Sequence, residues 1–110
     1  MGRRYERMDS GLPARQKGEA RMTGVVMYTT GICPFCIMAK RLFDDLGVSY
    51  QEIRVDQVPE QREHMMQITG RRTVPQVFIG ERHIGGCDET QQALQSGQLH
   101  TWLKEAGIHV

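Results

Sequence analysis

Val25-Val26-Met27-Tyr28-Thr29 runs through the short link Thr30-Gly31-Ile32 into Cys33-Pro34-Phe35-Cys36. The first segment is a short apolar run with β-branched residues and reads as a buried strand. A helix then opens, because Pro34 suits the first helical position. Phe35, Ala39, Leu42, Phe43 and Leu46 follow at helical spacing and predict a buried face. Gly47 is a natural stop, so the first helix is expected over Pro34 to about Leu46. A strand, a tight link and a helix with two cysteines at its mouth is a setting for thiol redox chemistry.

Further along the chain, Tyr50, Glu52 and Arg54 alternate with Gln51, Ile53 and Val55, predicting a second strand over about Ser49 to Val55. Pro59 opens a second helix with Met65 and Ile68 inward, ending at Gly70. Two short strands, Gln76 to Ile79 and Arg82 to Ile84, flank the turn Gly80-Glu81. After Gly85-Gly86 a third helix is expected from about Asp88. A fourth carries Leu99, Trp102, Leu103 and Ala106 as a buried stripe. The order βαβαββαα implies an α/β domain. Its β-α-β start gives parallel strands through a right-handed crossover. The hairpin completes a four-stranded mixed sheet flanked by helices.

The chain has 110 residues, 39% hydrophobic and 25% charged, which suits one small domain with a single core. A net charge of +1 gives no reason to invoke nucleic acid, and no run is long enough for a membrane span. Residues 1–22 hold six Lys/Arg against three Asp/Glu and almost no large apolar residues. They read as a disordered N-terminal extension, with Met22 an alternative start, and the folded domain occupies 23–110. The extension lacks the apolar core of a secretory signal. Three cysteines without such a signal argue for a reducing compartment, the cytoplasm, where a disulfide is transient and catalytic.

With Cys33 at the N-cap, its sulfur is placed to accept from the amides of Phe35 and Cys36. It also sits at the positive end of the helix dipole. Helix N-termini lower thiol pKa values from ~8.5 into roughly the 3.5–7.5 range, so Cys33 is the candidate nucleophile. Cys36 lies one turn further in and should be more buried and less acidic, as a resolving thiol requires. A zinc site needs four ligands. Only Cys87 and His83 could join the pair, and no second Cys-x-x-Cys exists, so no metal is expected. His64, His83, His100 and His109 show no metal spacing and are expected at the surface. Tyr28 reads as strand packing.

Two further segments, Gly70-Arg71-Arg72-Thr73-Val74-Pro75-Gln76-Val77-Phe78-Ile79 and Ile84-Gly85-Gly86-Cys87-Asp88, accompany Tyr28-Thr29 and the cysteine pair. In order and spacing these pieces closely resemble a glutaredoxin of the bacterial glutaredoxin 3 kind, from about Val25 onward. The resemblance implies the thioredoxin fold. It also implies reduction of disulfides and of mixed disulfides with glutathione, which serves as electron-donating co-substrate while no cofactor is bound permanently. Cys33 and Cys36 are then the catalytic pair, and Pro75 a cis-proline facing Cys33. The glutathione contacts fall on Cys33, Phe35, Arg71, Arg72, Thr73, Val74, Pro75, Gly86, Cys87 and Asp88. Arginine suits the glycine carboxylate because its fork binds bidentately, with one of the two arginines expected to be merely solvated. The start of the third helix can offer amides to the γ-glutamyl carboxylate. Asp88 can take the ammonium and can also cap the helix, and both roles can hold at once. Cys87 reads as structural.

One departure stands out. The family usually carries lysine three residues before the first cysteine, and here that place is Thr30. Helix-end stabilisation must then carry more of the Cys33 acidity, or Arg72 must compensate, and the expectation is a normal reaction with somewhat weaker glutathione affinity. Implied partners are glutathione and disulfide-containing or glutathionylated proteins, met as a monomer, with neither nucleic acid nor membrane. The alternatives are a redoxin fed by thioredoxin reductase, an iron–sulfur cluster carrier, and a non-catalytic interaction module. Arg71, Arg72 and Asp88 argue against the first. The second cysteine and Pro34 argue against the second.

Overall fold

The computed structural model describes residues 24–108, so the expected extension over 1–22 and His109 lie outside the described residues. The elements follow the expected order. They are β1 (Val25–Thr29), α1 (Pro34–Leu46), β2 (Tyr50–Arg54), α2 (Pro59–Thr69), β3 (Gln76–Ile79), β4 (Arg82–Gly85), α3 (Cys87–Ser96) and α4 (Gln98–Glu105). The four-stranded sheet has the order β2-β1-β3-β4. β1 pairs parallel with β2 and antiparallel with β3, and β3 and β4 form an antiparallel hairpin. Among the described residues, no helix is long and apolar enough to cross a membrane.

β1 is central and buried along its whole length. Its alternation separates two cores, because successive side chains leave opposite faces of a strand. Val25 and Met27 join Ala39, Leu42 and Phe43 of α1, Ala93 of α3, and Leu99 and Leu103 of α4. Val26 and Tyr28 join Val55 and Met65 of α2 on the other face, where Tyr28 meets Phe78 edge-on. Phe43 is fully buried at the centre of the larger core. Burial of such a side chain contributes about 1.5–3 kcal/mol.

Several sequence expectations shift. Ile68 is 44% exposed rather than inward. The covered stripe of α2 follows Gln61, Met65 and Thr69 at intervals of four, with Met66 beside it, and Ile68 falls to one side. Phe35 is 56% exposed and lines the site instead of the core. β2 is confined to Tyr50–Arg54, while β4 runs on to Gly85. His83 is half-buried, with its Nε2 2.7 Å from Gln76 Oε1.

Candidate active site

The site forms where the first turn of α1, the loop before β3 and the first turn of α3 meet. Cys33 is the N-cap of α1 in extended backbone conformation, followed by Pro34. Its sulfur accepts from the Cys36 amide at 3.0 Å, and in the thiol form donates to the Val74 carbonyl at 3.7 Å. Of the two amides expected at the Cys33 sulfur, only that of Cys36 makes the bond. No acidic residue lies in the first turn of α1 to offset the positive end of the helix dipole. The three cysteines are free thiols.

The paired thiols differ in setting. Cys33 is 9% exposed and Cys36 only 1%. Burial pushes the Cys36 thiol up to about 12, helped by its hydrogen bond with Cys33 and opposed by the Thr30 amide and Lys40. Cys87 is also buried, and burial first, then the charges of Asp88 and Cys33, raise its pKa.

The link before Cys33 is tied to the β2–α2 connection. Gly31 N–H donates to Asp56 Oδ2 at 3.0 Å, and Arg54 grips the same carboxylate with two bonds of 2.8 Å. The Arg54 guanidinium holds the Asp56 carboxyl well below the usual carboxylate range. A Cβ at Gly31 would meet the Arg54 guanidinium, which would have to shift away from Asp56.

The Val74–Pro75 peptide is cis, and Pro75 is buried. The fully buried Gln76 anchors this loop, with its amide donating to the Thr73 carbonyl at 3.0 Å and hydroxyl at 3.2 Å. Burial, then the nearby Arg71 cation, lowers the pKa of its partner His83.

Across from the loop, Gly86 is the N-cap of α3. The cap bond is supplied by Glu89, whose Oε1 accepts from Gly86 N–H at 2.6 Å. That bond is the main reason the Glu89 pKa is lowered. Asp88 therefore does not cap the helix, and its carboxylate stands exposed in the first turn. Glu89 also lies 3.5 Å from Arg71.

A cavity of ≈ 230 Å³ lies between these elements, lined by Phe35, Arg71, Thr73, Val74, Pro75, Gly86, Cys87, Asp88 and Glu89. Cys33 borders it through Val74, whose carbonyl its thiol reaches. Arg72 is exposed and not part of the lining. Glu89 was missed by sequence reasoning, although its place three residues after Gly86 is the spacing of a reciprocal helix cap. Among the described residues, no three His, Cys, Asp or Glu side chains are grouped to hold a metal ion. The arrangement offers one sulfur at the cavity border, one more deeply buried sulfur and a polar cavity with a cation, an anion and the free amides of a helix start.

The family model for glutaredoxin matches residues 25–84. A glutaredoxin from Pseudomonas aeruginosa is 46% identical over 82 residues, covering 74% of this chain and 98% of the relative. Glutaredoxin 3 from Escherichia coli is 45% identical over 83 residues, covering 76% of this chain and 100% of the relative. The solved structure of a buckwheat glutaredoxin–glutathione complex superposes with a TM-score of 0.73 at 40% identity, covering 79% of this chain and 82% of that one. The expected thioredoxin fold is the fold found. Likeness in sequence along nearly the whole of two bacterial relatives, matched by likeness in structure, makes this chain a member of the glutaredoxin family of thiol–disulfide oxidoreductases.

Proposed function

We propose that the chain reduces protein disulfides and protein–glutathione mixed disulfides, with glutathione as electron donor, through Cys33 and Cys36. The observation that carries this reading is the Cys33 sulfur, held by the Cys36 amide at 3.0 Å and reaching Val74 on the rim of the cavity. The Cys33 thiolate attacks the glutathione sulfur of a mixed disulfide. A Cys33–glutathione bond forms, and the protein thiolate leaves and takes a proton. A second glutathione thiolate attacks the adduct, releasing oxidised glutathione and restoring Cys33. With a protein disulfide, Cys36 instead displaces the protein from Cys33. Two glutathiones then reopen the Cys33–Cys36 bond.

The cavity chemistry supports glutathione as the bound partner. Its two carboxylates and one ammonium need cationic or amide donors and one acid. Arg71 takes the glycine carboxylate in this reading, and Arg72 is the solvated member of the pair. The amides of Cys87 and Asp88 take the γ-glutamyl carboxylate, and the Asp88 side chain takes the ammonium. Phe35 and the Thr73-Val74-Pro75 loop form the walls. A related buckwheat protein has been solved as a glutaredoxin–glutathione complex. The reading places the protein in the cytoplasm as a monomer that keeps no cofactor between turnovers.

A glutathione-coupled assay with NADPH and glutathione reductase tests the reading on the intact chain, Cys33→Ser and Cys36→Ser. Turnover of a glutathionylated substrate by the intact chain and Cys36→Ser, but not by Cys33→Ser, is expected. Turnover with thioredoxin reductase and none with glutathione would reverse it.

A further inference from the structure

A charged cluster around Lys40 lies outside the cavity lining. Lys40 follows Cys36 by four residues on α1, so the two side chains share a helix face one turn apart. Lys40 Nζ donates to Glu52 Oε2 of β2 at 3.0 Å. The same oxygen accepts from the hydroxyl of Thr29 at 2.6 Å, and Thr29 is fully buried at the end of β1. The backbone amide of the next residue, Thr30, favours the Cys36 thiolate. Three elements thus fix an ammonium one helical turn from the buried Cys36 thiol. The side chains of Lys40 and Glu52 are 28% and 30% exposed, so the pair sits at the surface with part of each side chain covered.

We propose that Lys40, tethered by Glu52 and Thr29, is the positioning residue for the resolving step, stabilising the Cys36 thiolate as it attacks Cys33. The proposal rests on the dithiol reading above.

The charge balance around Cys36 changes during turnover. In the reduced protein, burial and Cys33 both hold the Cys36 proton on, while the Thr30 amide and Lys40 pull the other way. Once Cys33 is joined to a substrate sulfur, its thiolate charge is gone. Burial then stands against the Thr30 amide and Lys40 alone. The remaining charged or titratable groups around this pair are Tyr50 and Glu52 of β2, with Arg54 acting on Glu52 and Asp44 on Tyr50. Glu52 keeps Lys40 protonated, chiefly through their hydrogen bond. Lys40 therefore acts as a fixed cation rather than as a base. The Cys36 proton passes to solvent, the Cys33–Cys36 bond forms, the Cys33–substrate bond breaks, and the departing thiolate takes up a proton.

The test uses a small aromatic disulfide, which reports each step by the coloured thiolate released. Attack by Cys33 releases the first equivalent, and closure by Cys36 releases the second, without any glutathione. Relative to the first step, Lys40→Met should slow the second about three- to tenfold at neutral pH. Its pH profile should move upward. Lys40→Arg, which keeps the charge, should restore the ratio to within about twofold of the intact chain. Glu52→Gln, which frees the ammonium, should lower the ratio in the same direction as Lys40→Met. A Lys40→Met ratio like that of the intact chain overturns the proposal. So does a Lys40→Arg variant as slow as Lys40→Met, since the side chain would then matter for packing alone. An intact chain that never releases the second equivalent overturns the dithiol reading and this proposal with it. Release of both equivalents without glutathione turnover sinks only the glutathione reading.

Discussion

The Cys36 amide donates to the Cys33 sulfur at 3.0 Å, while the Cys36 thiol itself is buried and pushed up to about 12. One residue thus serves the pair twice, as a backbone donor to the nucleophile and as a reserve thiol that stays protonated. With its pKa raised this far by burial, Cys36 stays protonated at pH 7. Mild iodoacetamide at pH 7 should therefore add one label to the folded chain, at Cys33, and none on the same timescale to Cys33→Ser. Peptide mass spectrometry reads the sites, and equal labelling of Cys36 would contradict the asymmetry. Because the folded pKa of Cys36 is raised, its contribution to stability is present below the unfolded thiol range and is lost as pH rises toward about 12.

Arg71 lines the cavity and Arg72 does not. The Arg71–Glu89 pair is loose, at 3.5 Å with both side chains 44% exposed, so the guanidinium can turn to a ligand carboxylate at little cost. Arg71→Ala should raise the KM for glutathione about five- to twentyfold with a smaller change in kcat. Arg72→Ala should stay within about twofold. Steady-state rates against glutathione concentration decide between them, and equal losses would return Arg72 to the binding site.

Glu89 links the α3 start to the cavity. Its depressed pKa means that its contribution to stability is present above the unfolded carboxylate range and is lost as pH falls through the folded value. Glu89→Gln should flatten the acid limb of a thermal-stability profile below about pH 4.5. Glu89→Ala, which removes the cap bond to Gly86, should destabilise by about 0.5–2 kcal/mol near neutral pH. An acid limb identical to that of the unaltered chain would show that the Gly86 bond does not hold in solution.

The strand–turn–helix around the cysteines was legible because three signals coincide there: an apolar run, Pro34 at a helix start and Gly47 at its end. The cis peptide at Pro75 and the cavity walls were reached only through family resemblance, since neither periodicity nor propensity encodes a meeting of distant loops. Ile68 was misplaced because a helix that buries little beyond Met65 gives a weak periodic signal. Lys40, Glu52 and Thr29 were invisible for a different reason. Their contact joins α1, β2 and β1, and each residue alone looks like ordinary surface or strand filler. Glu89 was legible in principle, but Asp88 drew the capping role because acidic residues at adjacent positions compete for one reading.

Thr30 stands where the resemblance leads one to expect lysine, just before Gly31, which Asp56 and Arg54 hold in place. With that link fixed, a longer cationic side chain at residue 30 gains a defined starting point rather than a flexible one. Thr30→Lys should lower the KM for glutathione about two- to fivefold, and the gain should shrink at high salt as screened attraction does. A KM that does not move, or a gain indifferent to salt, would remove the electrostatic explanation for the departure at this position.

Gly85 and Gly86 separate stability from binding. Gly85 has φ 122, and a Cβ there would lie 2.8 Å from Glu89 Oε1 and 3.0 Å from its Cγ. Both the backbone region and the contact are unfavourable to an L side chain, so Gly85→Ala should destabilise by about 1–3 kcal/mol. Gly86 has φ −89, which any residue adopts, and its Cβ would meet Glu89 Oε1 at 3.3 Å and the Pro75 carbonyl at 3.4 Å. Those contacts are tight but can be relieved by small shifts, so Gly86→Ala should change stability by less than about 1 kcal/mol. The added methyl instead enters the gap between the α3 amides and Pro75, where the cavity wall is formed. Gly86→Ala should therefore raise the KM for glutathione severalfold, about three- to tenfold, while Gly85→Ala shows its loss first in the urea midpoint. Urea melts and glutathione titrations on the two variants give the comparison. A Gly86→Ala chain that binds glutathione normally would mean that the ligand does not pass between α3 and the Pro75 loop.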